Sequence, residues 1–254
     1  MEPVLRVQNL AKTFSRGGQA DLSAVNGISF DLMPGECLGI IGESGSGKTT
    51  VANLITRLSD ATDGKIFFDG EDITRKSGKA LRSVYRKMQM VFQTPADSFD
   101  PRRTLGDGIG ESLRNNGMSK REAKPKTARL LELCGLPAGF ADRYPHEVSG
   151  GQCQRAAIAR ALAIKPKLLI CDEATSALDV TTQKEIMELL SSLRRVQGGN
   201  LSILFICHDI SLVQQFCDRV LVMYQGNIIE QGAADEIICS PQSEYTKKLL
   251  DSVL

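Results

Sequence analysis

The sequence predicts an α/β protein built on a mainly parallel sheet. Short β-branched runs alternate with helix-length segments along most of the chain. The apolar run Cys37–Ile41 leads into a glycine-rich loop that opens onto a helix-forming stretch. A second apolar run, Leu168–Cys171, ends in the adjacent carboxylates Asp172 and Glu173.

The opening third is rich in strands: Val4–Val7, Gly27–Leu32, Cys37–Ile41 and Lys65–Phe68, the last closed by the turn pair Asp69-Gly70. Gly17-Gly18 reads as a surface turn, and Thr49–Leu58 as the first long helix. Arg75–Lys87 is basic but helix-length, so its charges form a solvated face. Between the strands Met88–Phe92 and Leu168–Cys171 only helical signals occur, including the capping box Ser119-Lys120-Arg121-Glu122 on a helix that Gly135 ends. A crossover between parallel strands needs only about a dozen residues, so this stretch is expected to be an inserted helical unit spanning 93–161. After Leu168 the alternation returns: helix Thr181–Val196 with Gly198-Gly199 as its stop, strand Ser202–Cys207, helix Ser211–Phe216 and strand Arg219–Tyr224. Gln225-Gly226-Asn227 then turns the chain into Ile228–Gln231.

Composition excludes several functions. The 254 residues carry 31 Lys+Arg against 30 Asp+Glu, a net charge of +1, which fits neither a polybasic nucleic-acid binder nor an acidic disordered tail. Tryptophan is absent and tyrosine numbers 4, leaving little aromatic surface for stacking bases, so no nucleic-acid partner is expected. No apolar run approaches the ~20 residues of a membrane span, and the N-terminus lacks the features of a signal peptide, so the chain is expected to stay in the cytosol. The 7 cysteines contain no CxxC pair and read as reduced thiols serving as small core residues.

The chemistry concentrates in three motifs. Gly42-Glu43-Ser44-Gly45-Ser46-Gly47-Lys48-Thr49-Thr50 fits the phosphate-binding pattern, with a strand before it and a helix after. Its glycines let the backbone wrap close to phosphate, with the amides aimed where the helix dipole favours an anion. Lys48 would reach the β- and γ-phosphates, and the Thr49 hydroxyl would ligate Mg²⁺. At the carboxyl end of a parallel strand, Asp172 can hold the same Mg²⁺ through its shell, and Glu173 can orient or deprotonate the attacking water. Third, Ser149-Gly150-Gly151-Gln152 before a helix-patterned Cys153–Ile164 forms a second anion-binding helix start, which suggests a nucleotide shared between two copies.

This Ser149–Gln152 signature, lying between the phosphate loop and Asp172-Glu173, resembles that of the nucleotide-binding subunit of ATP-binding cassette (ABC) transporters, and the resemblance covers nearly the whole chain. It implies a P-loop NTPase (RecA-like) core, 1–92 and 162–254, with an N-terminal antiparallel β subdomain and the α-helical insertion carrying the signature. It further implies that Phe14 stacks on adenine, that Gln93 senses Mg²⁺ and water, and that Ser176–Asp179 crosses to the opposite subunit. His208 would contact the γ-phosphate as the switch histidine. Val148 and Cys171 depart mildly from the family pattern without touching any residue assigned to ATP, Mg²⁺ or water.

The implied activity is transport-coupled ATP hydrolysis through closure of two cassettes. The implied partners are a second ABC ATPase subunit, a different homologue, together with two permease subunits and, indirectly, a solute-binding protein. The chain would then sit peripherally at the cytoplasmic face of the cell membrane. Phe92–Thr104, Tyr144–Glu147 and the closing Ser240–Leu250 are similar to ATPases of the peptide/nickel importer group, except that Ser243 and Glu244 replace a usual His-Pro. The stop soon after Leu250, without a cysteine-bearing extension, favours a nickel-type or compact peptide importer. An exporter ATPase or a soluble non-transport member is the alternative. Finally, the polar segment Pro95–Arg103 is expected to be exposed and to offer Phe99 to a permease helix, coupled to the nucleotide through Gln93.

Overall fold

Alternation along five parallel strands organises the core of the computed structural model, which describes residues 2–15, 21–176, 178–196 and 201–251. These are β3 (Cys37–Ile41), β6 (Met88–Val91), β7 (Leu168–Asp172), β8 (Ser202–Ile206) and β9 (Arg219–Tyr224); antiparallel β10 (Asn227–Ala233) completes a sheet ordered β10-β9-β3-β8-β7-β6. Successive side chains point to opposite faces, so each strand feeds two cores. Leu38, Ile40, Ile170, Leu204 and Leu221 enter one hydrophobic cluster; Cys37, Ile41, Cys171, Phe205 and Val222 enter the other.

The first cluster is covered by α1 (Lys48–Ile55) and by an antiparallel sheet. That sheet runs β2 (Leu22–Leu32), β1 (Leu5–Phe14), β4 (Asp63–Phe68), β5 (Glu71–Asp72) in spatial order. The second cluster is covered by α6 (Val180–Val196) and α7 (Ile210–Phe216), through Ile186, Leu190, Val213 and Phe216. Gly39 permits that approach, because a Cβ there would lie 2.9 Å from Val213 Cγ1.

After α2 (Gly78–Tyr85), every described element between β6 and β7 is helical, as expected. α3 (Leu105–Asn115), α4 (Lys120–Leu133) and α5 (Gly150–Leu162) do not have a core of their own: Ile109, Leu131 and Ala156 belong to the same cluster as Phe205 of the sheet. The chain closes with α8 (Ala234–Cys239) and α9 (Glu244–Asp251), the latter burying Leu249 and Leu250. The capping box on α4 is present, with the Ser119 hydroxyl accepting from the Glu122 N–H and the Glu122 carboxylate accepting from the Ser119 N–H.

Several expectations need correction. β1 continues from Val7 to Phe14 through a polar run, because it is the inner strand between β2 and β4 and its ladder bonds are supplied from both sides despite register shifts. The first helix stops at Ile55 rather than Leu58: the Thr56 hydroxyl donates to Ala52 O, and Arg57 takes a left-handed conformation at φ 60°. Six cysteines are buried, and burial pushes the Cys134, Cys171 and Cys207 thiols up to about 12, but Cys239 is exposed and is not a core residue. The Gly17-Gly18 and Gly198-Gly199 turns lie outside the described residues.

Phe99 is the largest departure. Instead of facing outward it is buried: its ring lies where a Cβ on Gly108 would approach to 2.6 Å, and the Arg160 guanidinium sits 5.7 Å from the ring centroid. Arg160 Nη1 also donates to Ser98 O, tying the segment to α5. The Pro95–Arg103 segment thus anchors to its own helices, while Arg102 pairs with Asp100 within it. Phe99→Ala is expected to lower stability by about 3–5 kcal/mol, the cost of emptying a buried aromatic site. Denaturant unfolding checks this, and a loss under about 1 kcal/mol would mean that the ring is not a core residue.

Candidate functional site

The site forms where β3, β8, β7 and β6 end side by side, since parallel strands deliver their following loops to one edge of the sheet. From β3 comes the Gly42–Thr49 loop. Its conformation demands glycine: Gly42, Gly45 and Gly47 adopt φ of 148°, 81° and 107°. Space demands it as well, since a Cβ on Gly42 would meet Met223 O at 2.2 Å and one on Gly47 would meet Ala24 O at 2.4 Å. Gly47 offers α1 no side-chain cap, so the first amides of that helix remain available to an anion.

Lys48 is buried, and its Nζ donates to Gly42 O at 2.7 Å and Glu43 O at 2.8 Å. Burial pushes its ammonium below the usual lysine range, while the Glu173 and Asp172 carboxylates pull the other way. Asp172 responds in the mirror sense: burial raises its carboxyl, opposed by the hydrogen bond from the Thr49 hydroxyl at 3.3 Å. The flanking positions Glu43, Ser44 and Thr49 are exposed, Ser46 is buried and Thr50 half-buried.

Glu173 follows β7 in a left-handed conformation, φ 47°, unusual for a residue with a side chain, and its N–H donates to Ile206 O at 2.9 Å. Gln93, just past β6, bridges across with Nε2 donating to Glu173 Oε2 at 2.8 Å and Ser176 Oγ at 3.3 Å. His208 stands exposed just past β8, the strand between β3 and β7. The structure therefore brings Lys48, Thr49, Asp172, Glu173, Gln93 and Ser176 into one contact chain across three strand ends.

Other expected residues lie apart. The Ser149 hydroxyl accepts from the Gln152 N–H at 3.3 Å and Gln152 Oε1 accepts from the Ser149 N–H at 3.0 Å, a reciprocal cap that starts α5. Among the described residues no hydrogen bond links Ser149, Gly150, Gly151 or Gln152 to the Lys48 group. Gly151 has a packing reason inside this chain, because a Cβ there would come within 2.4 Å of Thr182 Cγ2 on α6. Asp179 accepts from Thr182 N at 3.0 Å and from its hydroxyl at 2.7 Å, capping α6, and Ala177 lies outside the described residues. Phe14 is 40% exposed with Lys12 Nζ 4.8 Å from its ring centroid.

Support for the loop also comes from a place that no motif indicated. The Gly226 N–H, in the β9–β10 turn, donates to Ser46 O at 3.0 Å, and Gly226 O accepts from Asn26 N at 2.8 Å. The sequence marks Gln225-Gly226-Asn227 as a turn and carries no signal for what that turn contacts.

The donor sets suit their expected groups. A positive-φ glycine loop with free helix amides and a buried ammonium fits a polyphosphate, and the Thr49 hydroxyl and Asp172 carboxylate are hard oxygen donors that fit Mg²⁺.

The family model described as "ABC transporter" matches residues 25–176, more than half of the chain. The glutathione import ATP-binding protein GsiA of Shigella dysenteriae is 47% identical over 259 residues, and that of Escherichia coli strain K12 is 46% identical. Each alignment covers 99% of this chain but 41% of the relative, so the chain spans about two fifths of the curated relatives it matches. Among solved structures, the ATP-binding cassette MJ0796, as a dimer in a post-hydrolysis state with ADP and phosphate, superposes at a TM-score of 0.83 with 29% identity, over 91% of this chain and 98% of that one. Clostridium perfringens cbiO1, part of the transporter complex cbiONQ, also superposes at 0.83 with 29% identity, over 94% and 92%. The chain belongs to the ABC transporter family, as its ATP-binding domain.

Proposed function

We propose that this chain is the ATP-hydrolysing unit of an importer and that closure of two cassettes around ATP drives uptake of a small solute. The observation that carries this reading is the contact chain from Thr49 to Asp172 and from Gln93 to Glu173, which joins the phosphate loop, the strand-end carboxylates and the start of the helical insertion. In this reading 93–161 acts as the helical subdomain, with 1–92 and 162–254 as the core.

Lys48 turns from the Gly42 and Glu43 carbonyls to the β- and γ-phosphates, and its lowered proton affinity recovers beside that negative charge. Thr49, Asp172 and Gln93 would hold Mg²⁺, which when bound neutralises charge developing on the phosphates. Gln93 occupies Glu173 Oε2, leaving Oε1 to accept the proton of the attacking water. His208 steadies the γ-phosphate, and Phe14 offers its exposed ring to adenine. Ser149 to Gln152 and Asp179 serve the nucleotide of the facing cassette: they bond within their own helix starts and not to their own phosphate loop.

The facing cassette is a second ABC ATPase, a different homologue, and the pair sits on two permease subunits at the cytoplasmic face of the membrane, with a solute-binding protein acting through them. No described helix is long and apolar enough to cross a membrane. The relatives named for glutathione import favour a peptide-like solute over nickel. With Phe99 buried, the permease contact moves to the groove lined by Thr56, Leu58, Tyr85, Met90, Phe92 and Arg160, where Leu58 is 58% and Phe92 39% exposed.

Glu173→Gln is expected to keep ATP binding while hydrolysis falls by about 10²–10⁴-fold, whereas Lys48→Ala weakens nucleotide binding itself. Single-turnover hydrolysis and nucleotide titration separate the two; parental turnover in Glu173→Gln removes it as the base. Leu58→Glu combined with Phe92→Ala should abolish permease stimulation of the ATPase in a reconstituted complex and leave ATP binding unchanged. Undiminished stimulation would place the permease elsewhere.

A further inference from the structure

The closing helix α9 reaches the phosphate loop. The Glu43 N–H, on the second residue of that loop, donates to the Tyr245 hydroxyl at 3.3 Å, a contact spanning about two hundred residues of sequence. Tyr245 is not free to wander: its ring lies on Tyr224, the last residue of β9, at 4.2 Å between centroids. The approach to α9 is held too, since the two Glu230 carboxylate oxygens on β10 accept from Gln242 N at 2.7 Å and Ser243 N at 3.1 Å. Ser243 Oγ then accepts from Tyr245 N at 3.3 Å, and Leu249 and Leu250 bury the far end of the helix in the core.

We infer that Tyr245 is a positioning residue for the phosphate loop, fixing the Gly42–Glu43 peptide so that the loop is preformed when nucleotide arrives. The inference rests on the nucleotide site proposed above. A loop with three positive-φ glycines has much conformational freedom to lose on binding. The peptide joining Gly42 to Glu43 is held at both ends here, its N–H by Tyr245 and its carbonyl, that of Gly42, by Lys48. Once Lys48 turns to phosphate the carbonyl loses that donor, and Tyr245 becomes the side chain that keeps this peptide oriented. The Gly226 N–H also donates to Ser46 O, so the β9–β10 turn and α9 hold the loop at two points.

The test uses the full chain, with ADP and ATP as probes. Tyr245→Phe keeps the ring stack and deletes only the hydroxyl, and should raise the nucleotide Kd by about 3–10-fold, the range for one lost hydrogen bond. In single-turnover hydrolysis at saturating ATP the rate should stay within about twofold of the parent, a binding effect without a chemical one. Tyr224→Phe removes a hydroxyl that accepts from Gln225 and does not touch the loop, and should leave Kd unchanged. The nucleotide-free Tm of Tyr245→Phe should fall no further than that of Tyr224→Phe, which also loses one hydroxyl hydrogen bond, and this separates loop positioning from general weakening. An unchanged Kd in Tyr245→Phe, an equal Kd change in Tyr224→Phe, or a nucleotide-free Tm lowered well beyond that of Tyr224→Phe would each overturn the inference. Failure of the underlying site reading shows differently, as a Lys48→Ala variant that binds nucleotide like the parent.

Discussion

Leu38 pairs with Leu204 on one side and Arg219 on the other, and Leu204 in turn pairs with Ile170. That parallel register aligns the ends of β3, β8 and β7, so their following residues emerge at one edge. A slip of one residue would exchange every side chain between the two clusters, placing Leu38 and Ile40 against α7 where Gly39 now admits Val213. The hydrophobic alternation thus decides the position of Lys48 relative to Asp172 and Glu173 before any polar contact forms.

The site carries the unfavourable features that such placement concentrates. Burial works against the charge on both Lys48 and Asp172, and each is partly relieved by the other. Glu173 sits in the left-handed region, and three loop glycines occupy conformations unsuited to other residues. Strain of this kind persists only where surroundings over-determine it. Here the surroundings are backbone: Met223 O and Ala24 O against the glycines, Ile206 O on the Glu173 amide, and Gly226 on Ser46.

The helical insertion shares its core with the sheet. A single cluster runs from Phe205 through Ala156 and Ala159 of α5 to Ile109 and Leu131. Small residues on α5 make the contacts on its side of that cluster, whereas Phe99 lies under Arg160. At the strand-end edge, Gln93 at the start of the insertion is bound to Glu173 of the core.

Local features were readable because each rests on local physics. The loop Gly42–Thr49, the capping box at Ser119, the cap at Ser149 and the apolar strands ending in Asp172 are set by φ/ψ limits, short-range hydrogen bonds and alternation within a few residues. The sequence did not reveal features whose cause lies far along the chain. β1 runs through polar residues because neighbours on both sides supply its ladder. Phe99 looked exposed in its polar segment, yet Gly108 and Arg160, distant from it in sequence or hidden by helix geometry, enclose its ring. Gly151 faces Thr182 and Tyr245 faces Glu43 only because separate elements pack together. Local sequence sets backbone preference and which face of an element is apolar; which surfaces then meet depends on how all the faces are buried together, and only the tertiary structure decides that.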